Sequence, residues 1–358
     1  MAVEELPNLP IAVRRARPED RDAVLAFAST TWDGWDYVPD AWPHWIAAPD
    51  GVLLVATAQG DDRPIAITRL ALLAADEGWL EGIRVDSAVR GRGVATNLQV
   101  AQLAWARAHG LRVLRYATGP GNEGSLKLGA HHGFVRLADR RTWGRPELEE
   151  AAEADRVAPD PTTEADRRRE LLAALAADGL ALAADALETA IGAAWRCVDT
   201  DTTFESGGRL YEHRSWSLQR LTHERFAAHV RRGEVLAAPG ASAVAILPHV
   251  AHFSEDLRPH LAVLAGGGRA ALGLLLAVER RAGGPVTVRL PDPAPPLLSD
   301  PGVAAAWHQA WIRPHDWSLV IMERPLPGDE PLPVAEPPGA LELRDPPRRI
   351  AAPPEIGD

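Results

Sequence analysis

Gly78–Ala95 reads GWLEGIRVDSAVRGRGVA, and this stretch decides the fold. Alternation through Gly78–Val85 predicts a strand. A short turn follows, and then Arg90-Gly91-Arg92-Gly93-Val94-Ala95 opens a helix over Gly93–His109, with Val94, Leu98, Ala101 and Trp105 on one face and Gly110 as its stop. Two glycines and an alanine let the backbone approach a ligand, and successive N–H groups at a helix start form a nest for a pyrophosphate. Arg90 and Arg92 would add charge-assisted bonds. An Arg-rich helix start without any ligand has the same sequence, so the surroundings of the hexapeptide must choose.

Working outward, Ile11–Arg15 alternates as a strand, and Pro18-Glu19-Asp20 opens an apolar-periodic helix through Val24, Leu25 and Phe27. Gly51–Thr57 and Pro64–Leu73 are two strands joined by a hairpin-type turn at Gly60-Asp61-Asp62. Leu111–Thr118 is a strand, followed by a Gly-rich stretch ending at Gly133-Phe134. Thr31–Ile46 is expected to be irregular, with Trp32, Trp35, Tyr37, Trp42 and Trp45 set among aspartates and prolines. In the strand before the hexapeptide, simple alternation places Trp79, Glu81, Ile83 and Val85 on one face. The whole is α/β, an α+β arrangement around a mixed sheet.

At 358 residues the chain favours two domains. With 46% apolar and 24% charged residues it has globular composition. Net charge is 38 − 49 = −11, and residues 1–150 carry 17 basic against 20 acidic groups, so nucleic acid is not an expected partner. The lone Cys197 excludes intramolecular disulfides and cysteine-held clusters and suits a reducing cytoplasm. The acidic, proline-interrupted start is unlike a signal peptide, and no apolar run reaches membrane-spanning length. His131-His132 and His249-x-x-His252 lack the spacing of helical metal-binding motifs, so no metal is expected.

Beyond residue 145 the composition shifts. Residues 146–163 are an acidic, proline-bearing linker candidate. Residues 164–326 repeat the order of strands and helices of the first 145 and read as a diverged copy of one fold. In this half a helix after Gly179 runs to about Trp195, Tyr211–Leu221 is one strand, and Gly266-Gly267-Gly268-Arg269 opens a helix. Residues 327–358 form a proline-rich tail that cannot build a core.

In this setting, Arg90–Ala95 between strand and helix resembles the Arg/Gln-x-x-Gly-x-Gly/Ala motif of the GNAT superfamily of acetyl-CoA-dependent N-acetyltransferases. Asn122-x-x-Ser125, with Gly133-Phe134 closing the next helix, resembles the superfamily's second motif, and the similarity covers about residues 11–145. Asp33–Pro39 with Trp45, together with Ile83-Arg84-Val85, is similar to the histidine Nα-acetyltransferase subfamily.

The resemblance implies two tandem GNAT-like folds, the second degenerate, and acetyl-CoA as cosubstrate. It puts pyrophosphate on Arg90, Gly91, Arg92, Gly93, Val94 and Ala95, and pantetheine along Ile83, Arg84 and Val85, flanked by Asn122 and Ser125. Glu81 is the candidate base, expected beside Trp79 with burial raising its pKa, a structural carboxylate being the equal alternative. The superfamily often has Tyr seven residues after the Asn, where this chain has Gly129, so the thiolate proton must come from elsewhere or from water; Tyr116, His131 and His132 are nearest in sequence, a structural or surface role being the alternative for each, and Tyr116 is taken as the candidate acid. Trp35, Asp36 and Tyr37 are the candidate acceptor contacts. The implied reaction acetylates a small-molecule amine such as a free amino acid, histidine included. An aminoglycoside, a protein N-terminus, or a non-catalytic CoA sensor remain alternatives, and oligomeric state stays open.

Overall fold

The computed structural model describes residues 10–29, 31, 36–145, 161–183, 188–214, 216–248, 259–293 and 295–328. Most of the expected linker and nearly all of the proline-rich tail therefore lie outside the described residues. The chain divides into two compact units, residues 1–116, 123–135 and 323–358 in the first, and 117–122 with 136–322 in the second. Among the described residues no helix is long and apolar enough to cross a membrane.

The first unit is built on strands β1 (Ile11–Arg15), β2 (Gly51–Ala58), β3 (Pro64–Leu72), β4 (Glu77–Val85) and β5 (Val113–Thr118), hydrogen-bonded in chain order. The first four are antiparallel neighbours, and short turns join β2 to β3 and β3 to β4. β5 runs parallel to β4 and pairs with it only over Glu77–Trp79 against Val113–Arg115. The helices are α1 (Arg21–Ala28), α2 (Val38–Ala47), α3 (Val94–Ala108) and α4 (Glu123–His131). α1 and α2 pack on the sheet face that carries Leu53, Val55 and Ile67. α3 covers the other face, where Gln102 Nε2 donates to Thr68 Oγ1 at 3.0 Å.

α2 is a departure from the expected irregular stretch. Val38, Ala41, Trp42 and Trp45 are all buried, and the spacing 38, 41, 42, 45 is a helical stripe. Pro39 sits in the first turn, where no donor is needed, and Pro43 removes one internal bond that the burial of two indoles offsets. The prolines and aspartates masked this periodicity in the sequence.

A second departure lies in β4. Arg69 pairs with Glu81 but Ile67 pairs with Arg84, so β4 holds one extra residue, and Gly82 adopts φ +68°. This is a β-bulge. It inverts the alternation: Trp79, Glu81 and Arg84 share the α1/α2 face, while Val85, opposite Ala66, takes the other. The expected single face of Trp79, Glu81, Ile83 and Val85 does not exist.

In the second unit, β6 (Val135–Gly144) pairs antiparallel with β13 (Thr287–Pro291), which pairs parallel with β11 (His260–Leu261). β10 (Ala243–Ile246) is flanked by β9 (Val235–Ala237) and β12 (Val263–Gly266). The expected strand Tyr211–Leu221 is instead a hairpin of β7 (Leu210–Arg214) and β8 (Ser217–Arg220), with Trp216 in its turn. The helices are α5 (Pro161–Ala177), α6 (Glu188–Asp199), α7 (Thr202–Ser206), α8 (His223–Arg231), α9 (Gly268–Ala282) and α10 (Pro301–Gln309), and β14 (Arg313–Pro325) is the last strand. α6 begins later than expected because the chain after Gly179 first extends, Ala181 bridging to Leu236. α9 packs on α5 and β10 around Leu175, Ala245, Leu275 and Val278.

A Cβ on Gly82 would meet Trp45 Cη2 at 2.4 Å in a left-handed backbone. Gly82→Ala should therefore destabilise the first unit by about 2–4 kcal/mol, combining backbone and packing strain, read as a lower urea midpoint.

Candidate active site

β4 hands the chain to α3 through a turn in which Gly91 and Gly93 both adopt φ +76°. Left-handed backbone at these two positions is easy only for glycine and turns successive N–H groups to one side. Gly93 caps α3, its carbonyl accepting from Asn97 N (3.1 Å) and Asn97 Nδ2 (2.9 Å), while Val94 is buried and anchors the first turn. The opening N–H groups of α3 have no intrahelical acceptor by construction and carry the positive end of the helix dipole. Arg92 is half-buried, and its Nε is buried without a hydrogen-bond partner among the described residues. Arg90 is exposed, its Nε donating to Val85 O at 3.3 Å. A cradle of turned amides with an orphaned guanidinium donor suits a pyrophosphate, so Arg90 to Ala95 fit the nucleotide end of acetyl-CoA.

The root of the β4/β5 opening is fixed by Arg115, which donates to Glu77 (2.5 Å) and Glu323 (2.6 Å). Past this root the two parallel strands no longer pair. Ile83 and Val85 are half-buried on β4. Ser125 lies on α4 in the first unit, whereas Asn122 is half-buried at the end of the 117–122 segment of the second unit, its N–H donating to Gly119 O.

Tyr116 is buried, and its hydroxyl donates to Ser125 O at 3.0 Å. Burial pushes its pKa up to about 12, so it stays protonated. A Cβ on Gly129 would lie 2.0 Å from that hydroxyl. The glycine found where the superfamily often has tyrosine is thus required by a tyrosine arriving from β5. His131 is exposed. His132 is buried, and desolvation pulls its pKa down to about 4.

On the opposite sheet face the bulge gathers a polar cluster. Arg84 donates from Nε to Asp36 at 2.5 Å and from Nη2 at 3.1 Å, both side chains being almost wholly buried. Asp36 in turn accepts from Val38 N at 2.9 Å and so starts α2. The Arg84 guanidinium lies 5.2 Å from the Tyr37 ring, which meets Trp45 edge-on at 5.8 Å. Burial raises the Tyr37 pKa to about 12. Arg84 therefore contributes its side chain to the α2 wall. Trp35 lies outside the described residues.

Glu81 is half-buried on this same face and ion-pairs with Arg69, whose other nitrogen holds Asp50 at 2.6 Å. The apolar surroundings expected from Trp79 are replaced by a guanidinium. Arg69 and Asp50 escaped sequence reading, although an arginine inside the apolar strand PIAITRLAL, buried on β3, was a signal.

In the second unit, the glycine run before α9 is built differently. Gly266 N donates to Asp201 Oδ2 at 2.8 Å, and a Cβ on Gly268 would lie 2.3 Å from Leu297 O and 2.5 Å from Val303 Cγ1. A carboxylate of the chain itself occupies the place an anion would take. Among the described residues no group of three or more His, Cys, Asp or Glu could hold a metal, and His249 and His252 lie outside them.

Residues 22–134 match the family model Acetyltransferase (GNAT) family, and this part of the chain is a GNAT acetyltransferase domain. Among curated proteins the chain is similar to a histidine N-acetyltransferase of Scomber australasicus, 31% identical over 98 residues, covering 25% of this chain and 28% of that protein. A histidine N-acetyltransferase of Oreochromis niloticus is 30% identical over 98 residues, with the same coverages of 25% and 28%. The matches thus span under a third of these relatives' own lengths. Over most of its length the fold is similar to a GCN5-related N-acetyltransferase from Sphaerobacter thermophilus, with TM-score 0.50 and 15% identity over 89% of this chain and 97% of that one.

Two outcomes follow. Gly129→Ala should cost about 1–3 kcal/mol, and Tyr116→Phe in that background should recover part of the loss, giving a coupling of about 1 kcal/mol in a double-mutant cycle. His132, neutral when folded, contributes stability that is fully present above about pH 6.5 and lost as pH falls toward about 4. His132→Phe should flatten that part of the urea-midpoint profile.

Proposed function

We propose that the first unit transfers acetyl from acetyl-CoA to the primary amine of a small molecule, a free amino acid such as histidine being the first candidate. The observation that carries this reading is the pair of left-handed glycines, Gly91 and Gly93, with the orphaned Arg92 Nε at the start of α3. Arg90 to Ala95 hold the pyrophosphate, and the β4 edge at Ile83–Val85, past the last β4/β5 pair, takes the pantetheine arm with Ser125; the candidate Asn122 belongs to the other unit. Acetyl-CoA supplies an activated thioester.

Glu81 is the base in this reading. Arg69, itself held by Asp50, orients the Glu81 carboxylate beside the bulge, and Glu81 receives the ammonium proton directly or through water. Tyr116, neutral throughout the physiological range, is the candidate proton source for the departing thiolate, its hydroxyl oriented by Ser125. Tyr37 belongs to the acceptor wall in this reading, with Arg84 and the wholly buried Asp36 keeping the α2 start in place; Trp35, the third candidate, lies outside the described residues. The likeness to the two fish enzymes supports an amino-acid acceptor.

We propose domain bounds of 1–145, 146–163, 164–326 and 327–358, with 164–326 a diverged second copy of the fold. Asp201 on Gly266 N–H and the close approach of Leu297 to Gly268 support a second unit that does not take acetyl-CoA.

Thiol release from acetyl-CoA should accelerate with free amino acids in a panel that also holds aminoglycosides and short peptides. Glu81→Gln should lower kcat by about 10²-fold or more with CoA affinity unchanged. An unchanged rate would remove Glu81 from this role, and silence across the panel with acetyl-CoA bound would favour the sensor reading.

A further inference from the structure

The hairpin turn of the second unit carries a residue its backbone does not favour. Trp216, immediately before β8, lies in the turn that follows β7 with φ +64°. Glycine or asparagine is the inexpensive choice there, and a bulky side chain in left-handed backbone is a true outlier. The conformation is held because Trp216 N–H donates to Glu212 Oε1 at 2.7 Å. Core packing does not explain the choice either, since Trp216 stays 42% exposed. Its ring lies 4.3 Å from that of Trp317 on β14, itself 43% exposed.

Beneath the rings is a rigid charged base. Glu212 is buried and ion-pairs with Arg289 and with His260 Nε2 (2.9 Å), while His260 Nδ1 meets Thr287 Oγ1 at 2.8 Å. The Arg289 guanidinium stands 5.2 Å from the Trp216 ring centroid. Arg140, buried nearby, interacts electrostatically with both Glu212 and Arg289 and is anchored on Gly207 O (2.5 Å) and Leu210 O (2.7 Å). Two guanidinium groups face one carboxylate, so the base is net positive before His260 is counted.

We propose that the Trp216–Trp317 pair is a stacking platform for the ring of a small planar aromatic carboxylate. Two indoles, each exposed by somewhat under half, offer on the order of 200 Å² at most, which matches one ring and falls far short of the roughly 800 Å² per partner of a stable protein interface. The positive base disfavours a cationic ligand and favours an anionic one. Backbone strain retained at an exposed aromatic, with its orientation locked from below, is the arrangement expected of a recognition residue.

The test is calorimetric titration of the full chain with 2-naphthoate, with cyclohexanecarboxylate as the saturated control and 2-naphthylmethylamine as the cationic one. The naphthoate should bind, both controls should bind about tenfold more weakly or not at all, and Trp216→Gly and Trp317→Ala should each weaken naphthoate binding about tenfold. Because glycine accepts the left-handed turn, Trp216→Gly should melt no earlier than the parent protein. No binding by the parent, equal binding of the saturated acid or of the amine, unchanged affinity in both variants, or a Trp216→Gly protein melting several degrees earlier would each overturn the proposal. None of these readouts depends on acetyl transfer.

Discussion

The extra residue in β4 is the constraint around which the first unit is arranged. Gly82 takes up left-handed backbone without the strain a Cβ would bring, and the space such an atom would need is filled by the Trp45 ring of α2. The bulge and the helix are therefore one packing unit. Shifting the alternation by one residue brings Arg84 round to the face already holding Glu81. Arg84 then engages Asp36, whose other bond starts α2, so the helix that presses on Gly82 is itself held by the side chain that the bulge redirected.

Electrostatics on this face follow from burial. Asp36 and Arg84 are both withdrawn from water, and removing either partner would strand a charge in a medium that solvates it poorly. Their role is to fix an orientation, with net stabilisation small. Glu81, Arg69 and Asp50 repeat the pattern closer to solvent, an arginine between two carboxylates. Tyr116 and Gly129 are similarly complementary: the hydroxyl occupies the volume that a side chain at 129 would need. A tyrosine on a strand and a glycine on the following helix are two halves of one contact.

In the second unit a glycine run before a helix is closed off by the chain itself. Gly266 keeps φ +99°, but Asp201 supplies the acceptor internally and the Leu297 carbonyl closes over Gly268. The buried ion cluster of Glu212, Arg289 and His260 stands elsewhere in that unit and supports exposed indoles.

Much of the element pattern and the glycine turn before α3 were legible in the sequence, because both rest on local rules. Alternation marks β1 to β4, the apolar stripe and Gly110 mark α3, and Arg90-Gly91-Arg92-Gly93 marks a turn whose conformation glycine alone makes easy. The α2 stripe was also present, at 38, 41, 42 and 45, but proline and aspartate signals outweighed it locally. What the sequence by itself could not determine were the facts created by distant partners. The bulge at Gly82 depends on a Trp 37 residues earlier, the surroundings of Glu81 on an arginine one strand away, and the need for glycine at 129 on the Tyr116 hydroxyl. Local patterning decides which backbone forms. Which side chains meet is decided only when the sheet closes, since a one-residue shift in a strand sends its side chains to the opposite face.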